Sequence, residues 1–119
     1  MSRRTDRVAA LIRIELGELI LQKLKDPRIG FVTITRVDVT LDLKLAKVYY
    51  SVMGQEKEKA DAGRALEHAR GFLQHEIAEA LKLRFTPKLS FYLDESLEES
   101  LRIQKILQDL KQENFGKEA

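Results

Sequence analysis

Apolar residues recur at steps of three and four in three stretches of the chain, which is the spacing of one face of a helix. Residues 5–25 form the first stretch, and Asp26-Pro27 ends it because the residue before a proline avoids the helical conformation. Residues 60–83 form the second stretch, and the third follows residue 96. The sequence predicts three helical regions, whose apolar faces are Val8, Ile12, Leu16, Leu19 and Leu24, then Ala62, Leu66, Ala69, Leu73, Ile77 and Leu81, and finally Leu97, Leu101, Ile103, Ile106, Leu107 and Leu110.

Three shorter stretches, residues 31–39, 44–52 and 86–93, have the composition of β-strands. Residues 44–52 alternate apolar and polar side chains, as a half-buried strand does. The short turn at residues 40–42 predicts an antiparallel hairpin between the first two strands. The third strand follows a helical crossover, which allows it to run parallel to one of them. The element order predicts an α+β domain in which a three-stranded mixed sheet carries helices on one face.

The first strand has an imperfect alternation. Val32 and Ile34 share one face, whereas Val37 and Val39 fall on the other. Two interpretations remain open, because the strand is either covered on both faces or contains a bulge near Arg36 that shifts its register.

Gly71 lies in the middle of the second helical region. Glycine costs about 1 kcal/mol relative to alanine inside a helix and adopts backbone angles that other residues avoid. From the residues alone, the region is either a straight helix that tolerates one glycine or two shorter helices separated by a kink at Ala69-Arg70-Gly71.

The composition narrows the class of protein. With 119 residues, 44% of them hydrophobic and 34% charged, we expect one globular domain at residues 1–113 and a flexible C-terminal tail at residues 114–119. The absence of cysteine excludes disulfides and thiolate metal sites. No apolar stretch is long enough to cross a bilayer and no secretion signal is recognisable, so we expect a cytoplasmic protein without a membrane partner.

No group of residues has the arrangement of a catalytic site. The chain lacks a phosphate-binding loop, a dinucleotide-binding glycine pattern and a nucleophile motif. His68 and His75 are seven residues apart, whereas a helical metal pair is normally four apart. Asp38 and Asp42 are the pair of carboxylates closest to each other on the predicted hairpin. A role in the turn and in hydration of the surface explains their presence without a metal ion. We therefore predict no enzymatic activity, no metal, no cofactor and no small-molecule substrate.

The formal net charge is only +2, but the charge is unevenly distributed. Residues 1–30 contain seven basic and four acidic side chains, whereas residues 95–119 contain four and six. Because arginine and lysine bind phosphate through charge-assisted hydrogen bonds, the basic residues favour an RNA partner. Tyr49 and Tyr92 point outward from their predicted strands and are candidates for stacking on bases. The candidate RNA-binding residues are Arg3, Arg4, Arg7, Lys25, Arg28, Arg64, Arg70, Lys82, Arg84 and Lys88.

Several short stretches match a known family in their order and spacing. They are Arg7-Val8-Ala9, Lys25-Asp26-Pro27-Arg28, Val32-Thr33-Ile34-Thr35, Ala46-Lys47-Val48-Tyr49 and Leu81-Lys82-Leu83-Arg84. Through them the chain resembles the bacterial ribosome-binding factor A family over residues 3–107. The resemblance implies a type II KH-like fold with the order α-β-β-α-(kink)-α-β and a C-terminal helix.

The resemblance also bears on Gly71 and on the mode of RNA binding. Most KH modules bind single-stranded nucleic acid through a GXXG loop, and this sequence has none. The family has a kinked Ala-x-Gly in its place, which Ala69-Arg70-Gly71 matches. The resemblance therefore favours the kink and weakens the case for sequence-specific readout.

The function implied by the resemblance is that of a ribosome assembly factor without catalytic activity. Such proteins bind the small (30S) ribosomal subunit during late maturation of its 16S rRNA and support growth in the cold. We expect a monomer. The family pattern supports Arg7, Arg28, Lys82 and Arg84 as RNA contacts, whereas the other six candidates rest on charge alone. Two alternatives remain: a general KH-like RNA-binding module, and a protein-interaction domain that uses its amphipathic last helix.

Overall fold

The structure is a computed structural model that describes residues 3–30 and 32–118, without the side chains of Leu97 and residues 114–118. The predicted tail at residues 114–119 falls outside the described side chains, although the last helix continues to Glu118. The elements in chain order are α1 (Arg3–Gln22), a 3-10 turn (Pro27–Ile29), β1 (Val32–Val39), β2 (Leu45–Val52), α2 (Glu56–Leu81), β3 (Lys88–Leu93) and α3 (Ser96–Glu118).

The three strands form one mixed sheet with the order β1-β2-β3. β1 and β2 are an antiparallel hairpin, and β3 runs parallel to β2 after the α2 crossover. Asp42 closes the hairpin turn because its Oδ1 accepts hydrogen bonds from the Thr40 hydroxyl at 2.6 Å and from the Lys44 N–H at 3.0 Å. The predicted sheet, including its mixed character, is confirmed.

A bulge in β1 resolves its imperfect alternation. The register with β2 shifts between Ile34 and Arg36, which leaves Thr35 as the extra residue. Ile34 and Val37 are therefore both buried on the helix-covered side. The Thr35 hydroxyl donates to the backbone oxygen of Tyr49 at 3.2 Å and to Asp94 Oδ2 at 3.0 Å, so the bulge also fixes the start of α3.

The core lies between the sheet and two helices, α1 and α2. Its fully buried side chains come from α1, α2, β2 and β3, and they are Ile12, Leu16, Leu66, Leu73, Ile77, Val48 and Leu89. The apolar stripes that the sequence predicts for the first two helices are thus the faces that pack on the sheet.

The second helical region is one helix. α2 continues from Glu56 to Leu81 without interruption, so the two shorter segments favoured by the resemblance are joined. Leu66 and Leu73 are fully buried on either side of Gly71, and their burial outweighs the cost of a single glycine. A bend of the helix axis at Ala69-Arg70-Gly71 stays a prediction.

α3 extends away from the two-layer core. Its apolar residues Leu101, Ile103, Ile106, Leu107 and Leu110 are 51–60% exposed. The molecule is accordingly elongated, with extents of 67 × 36 × 18 Å and a radius of gyration of 18.5 Å, whereas a compact chain of this length has about 13–14 Å. α1 and α2 already cover one face of the small sheet, and the chain enters α3 beyond the end of β3.

Candidate nucleic-acid interface

Two shallow grooves meet at the start of β3. The first, the helix groove, lies along the second half of α2 and is lined by Arg70, Gly71, Gln74, His75, Ala78, Thr86 and Lys88. The second, the hairpin groove, lies between α1, the β1–β2 turn and the α2–β3 connection, and is lined by Arg4, Val8, Leu41–Lys44 and Leu83–Lys88. Because Thr86 and Lys88 line both grooves, the two form one continuous surface.

This surface collects basic residues from four separate parts of the chain. We call Arg4, Lys44, Arg70, Arg84 and Lys88 the basic strip. Four of the five are candidates from the sequence, and the structure brings them together although residues 4 and 88 are far apart in the chain. Lys44 is the member that the sequence analysis missed, because its position in a hairpin turn carries no pattern beyond its charge.

Backbone contacts hold the strip in place around Lys88. The Lys88 N–H donates to the Lys44 carbonyl oxygen at 2.9 Å, which fixes the hairpin turn beside the start of β3. The Leu89 N–H donates to Gln74 Oε1 at 3.2 Å and joins β3 to α2. Pro87 is fully buried between these contacts. These contacts therefore anchor the loop residues of the hairpin groove to β3 and α2.

The turn after α2 presents Arg84. Lys82 ends the helix in the left-handed conformation, with φ of 51°, and its N–H donates to the Ala78 carbonyl oxygen at 3.0 Å. The chain then reverses, and the Arg84 guanidinium lies 5.5 Å from the ring centroid of the exposed Phe85. Lys82 shapes this turn but does not line either groove.

The cations of the strip are largely free of carboxylates. Among the described residues, Arg4, Lys44, Arg84 and Lys88 have no ion pair, and Arg70 has a loose one to Glu67 at 3.6 Å. Asp42 lines the same groove, and hydrogen bonds from the Thr40 hydroxyl and the Lys44 N–H, together with the charge of Lys44, lower the pKa of its carboxyl. The strip therefore offers positive charge that a phosphate backbone can neutralise.

The other six candidates lie outside the strip, and two of them are paired with a neighbouring carboxylate. Arg28 forms a bidentate ion pair with Asp26, with Nη2–Oδ2 at 2.6 Å and Nε–Oδ1 at 3.0 Å, and Arg64 pairs with Asp61. The hydrogen bonds from Arg28, led by those of its side chain, lower the pKa of Asp26 to about 2. Arg3, Arg7 and Lys25 are exposed but do not line the two grooves. RNA contact by these five residues and by Lys82 stays a prediction.

Lys59 is a buried basic residue to which the sequence analysis gave no role. Its side chain is 9% exposed, and its Nζ lies 2.7 Å from Glu98 Oε2 and 3.6 Å from Glu95 Oε1. The hydrogen bond to Glu98 raises the pKa of Lys59. This contact ties the first turn of α3 to α2, so Lys59 has a structural role, and the acidic residues at the start of α3 are its partners.

Two further kinds of feature, a metal-binding cluster and a membrane-spanning helix, are absent from the described part of the chain. It contains no group of three or more histidine or carboxylate side chains placed to hold a metal ion. Of the helices described, none combines the length and apolar character needed to cross a membrane.

Comparison with known proteins identifies the family. The family model described as ribosome-binding factor A matches residues 4–107. This chain belongs to the ribosome-binding factor A family. A family member from Staphylococcus carnosus (strain TM300) is 50% identical over 107 residues, which covers 90% of this chain and 93% of the relative.

Solved structures from the same family share the fold. The crystal structure of ribosome-binding factor A from Thermus thermophilus has a TM-score of 0.66 at 28% identity, covering 75% of this chain and 94% of that protein. A homology model of the Thermus thermophilus factor, fitted into a cryo-EM map of its complex with the 30S subunit, has a TM-score of 0.61 at 29% identity, covering 73% and 91%. Both the family resemblance and the predicted α+β, KH-like fold are confirmed.

Proposed function

We propose that this protein binds the immature small (30S) ribosomal subunit through the basic strip and assists late maturation and processing of its 16S rRNA. The grouping of Arg4, Lys44, Arg84 and Lys88 without carboxylate partners among the described residues is the observation that carries the proposal. Membership of the family supports it, as does the 30S complex into which the Thermus thermophilus factor was fitted.

The proposed mechanism is binding without a chemical step. Lysine and arginine neutralise RNA phosphates and release counterions, so affinity falls steeply as salt is raised. The grooves are shallow and lack a GXXG loop, which favours recognition of the shape of a folded rRNA surface. The factor binds one rRNA arrangement more tightly and shifts the population toward it, then leaves when the mature arrangement forms. Support of growth in the cold and a cytoplasmic location belong to the same proposal.

Reversal of two charges tests the basic strip. Arg70→Glu combined with Arg84→Glu changes one cation in each groove, and we expect co-sedimentation with immature small subunits to weaken about tenfold or more at low salt. The dependence of log affinity on log salt concentration should also become shallower, by roughly 0.7–0.9 for each lost phosphate contact.

A second pair of substitutions is the matched control. Lys57→Glu with Lys105→Glu makes the same change in net charge on exposed helix positions outside the grooves. The control pair should keep most of the affinity, and circular dichroism should show that both pairs are folded. Equal co-sedimentation of the two double variants would contradict the placement of the interface.

The exposed apolar face of α3 supports one alternative, a protein-docking function. Binding of that kind would depend little on salt and would be abolished by Ile106→Asp rather than by the Arg70 and Arg84 reversals. The other alternative, a general RNA-binding module, is tested by comparing the affinity for free 16S rRNA with the affinity for immature subunits. An assembly factor should bind the assembled particle more tightly.

A further inference from the structure

The sheet face opposite α1 and α2 carries a row of three stacked side chains, one from each strand. Arg36 pairs in register with Tyr49, and Tyr49 pairs with Tyr92. The Arg36 guanidinium carbon lies 4.2 Å from the Tyr49 ring centroid, and the two tyrosine ring centroids are 5.5 Å apart with 30° between the planes. Tyr49 therefore has a stacking partner on each side.

Tyr92 ends this row at the edge of the sheet. β3 is an edge strand in the described sheet, and the Tyr92 side chain is 43% exposed. The Ser90 hydroxyl donates to Tyr92 Oη at 3.3 Å, and Tyr49 supports the inner side of the ring. The ring is thus held in place while its outer side faces solvent. Tyr49 is half-buried and has a partner on each side of its ring, so of the two tyrosines that the sequence suggests for stacking, Tyr92 is the one with an open ring face.

Lys88 links the open side of Tyr92 to the basic strip, because it belongs to the strip and lies on the same strand as Tyr92. Lys88, Ser90 and Tyr92 alternate along β3 and point to the same side of the sheet, which places Lys88 about 13 Å from Tyr92 along the strand. The nearby carboxylates are occupied, since Asp38 pairs with Arg36 at 3.1 Å and Asp94 accepts from Thr35 and from the Ser96 N–H.

We propose that the outer face of Tyr92 is a stacking site for one unpaired base of ribosomal RNA. The site deepens the proposed function and rests on it, because the basic strip delivers the RNA backbone to Lys88. Stacking on a tyrosine ring does not require a particular base, since every base has a π-face. A ring already held by Tyr49 and Ser90 loses little freedom on binding, which favours affinity. A base inside a duplex has both faces covered, so the site selects single-stranded segments.

Tryptophan fluorescence gives a direct test. The chain contains no tryptophan, so Tyr92→Trp introduces a single fluorophore at the site. We expect its emission to be quenched by purified small subunits and by a single-stranded RNA octamer, but not by an RNA duplex of equal length. Leu110→Trp is the matched control, because Leu110 lies on α3 outside both grooves with an exposure of 51%, and it should not be quenched.

Affinity for small subunits gives the second measurement. Tyr92→Ala and Tyr92→Leu both remove the π-face, and each should weaken binding about 5- to 100-fold while leaving the salt slope unchanged. Tyr92→Phe keeps the ring and should bind within about twofold of the unchanged protein. Thermal unfolding of the free variants distinguishes loss of stacking from loss of fold.

The outcomes separate the stacking site from the proposed function. Unchanged affinity and fluorescence at position 92, together with weaker binding of the Arg70 and Arg84 double variant, would overturn the stacking site alone. Quenching by small subunits but by neither RNA would assign Tyr92 to a ribosomal protein and also overturn it. Unchanged binding of the double variant would overturn the proposed function independently of Tyr92.

Discussion

At the scale of single residues, the partner of a charged group decides what it does. Arg28 and Arg84 have the same side chain and similar support from the family pattern. Arg28 is held by Asp26 through two nitrogens, whereas Arg84 lies over an exposed aromatic ring without a carboxylate partner among the described residues. The Asp26–Arg28 pair closes the 3-10 turn after α1, so its contribution belongs to folding.

Asp26→Asn tests this structural role through its dependence on pH. Hydrogen bonds from Arg28 lower the pKa of Asp26 from 3.8 to about 2, so the folded state gains from the charged carboxylate above pH 4 and loses that gain as the pH falls toward 2. We expect the variant to melt at a lower temperature than the unchanged protein at pH 6, and the difference to shrink below pH 4. Thermal unfolding followed by circular dichroism measures this.

Glu79→Gln is the control for that experiment, because Glu79 is an exposed carboxylate on α2. At pH 6 this variant should lower the melting temperature less than Asp26→Asn does, because Glu79 has no ion pair among the described residues. A pH-independent difference for Asp26→Asn would show that the pair does not stabilise the turn through charge.

At the scale of elements, α2 is the longest contributor to the core and also one wall of the helix groove. It remains helical through Gly71 because buried leucines on both sides pack on the same sheet. Nothing lies within 4 Å of a Cβ built on Gly71, whereas a Cβ on Gly63 would lie 3.1 Å from the Tyr50 hydroxyl. The two glycines therefore have different reasons to be present.

Alanine substitutions at Gly71 and at Gly63 test these two explanations separately. Gly71→Ala should raise the free energy of unfolding by about 0.5–1 kcal/mol, because alanine is the better helix former and the position has room. Gly63→Ala should gain less or lose stability, because Tyr50 must move. Urea denaturation measures both. Destabilisation by Gly71→Ala would instead indicate that the helix axis bends there in a way that needs glycine, as the resemblance predicts.

At the scale of the whole molecule, a two-layer core carries a helix that reaches beyond it. The basic strip and the Tyr92 edge both lie on the core, whereas α3 adds length and exposed apolar surface. The first turn of α3 is fixed by Lys59 and Asp94, and the rest contributes little burial.

Truncation tests this division of the molecule. Deleting residues 103–119 keeps the contacts of Lys59. It should change the free energy of unfolding by less than about 1 kcal/mol, since Ile103, Ile106, Leu107 and Leu110 are already exposed. Leu73→Ala, which empties a fully buried position, should cost about 2–5 kcal/mol. Small-angle scattering should show the radius of gyration of the truncated chain falling from near 18.5 Å toward about 13–14 Å.

Much of the fold was predictable from local patterns, and part of the site was not. The ion pair of Arg64 was predictable from the sequence, because Asp61 lies three residues earlier and residues three apart are neighbours on a helix. The bulge at Thr35 left a visible trace in the alternation of β1, but only its pairing with β2 decided between two interpretations. The sequence around Lys44 does not indicate that it belongs to the basic strip, because that role depends on Lys88, which lies beside it only in the folded chain.

The sequence by itself determined where the helices and strands lie, that β1 and β2 form a hairpin, and which faces of α1, α2 and β2 are buried, because these depend on the periodicity of neighbouring residues. Only the tertiary structure decided which cations share a groove, that Tyr49 has a partner on each side of its ring while Tyr92 is open, and that α3 leaves the core. Those properties depend on distances between residues far apart in the chain, and such distances exist only once the sheet and its helices have packed.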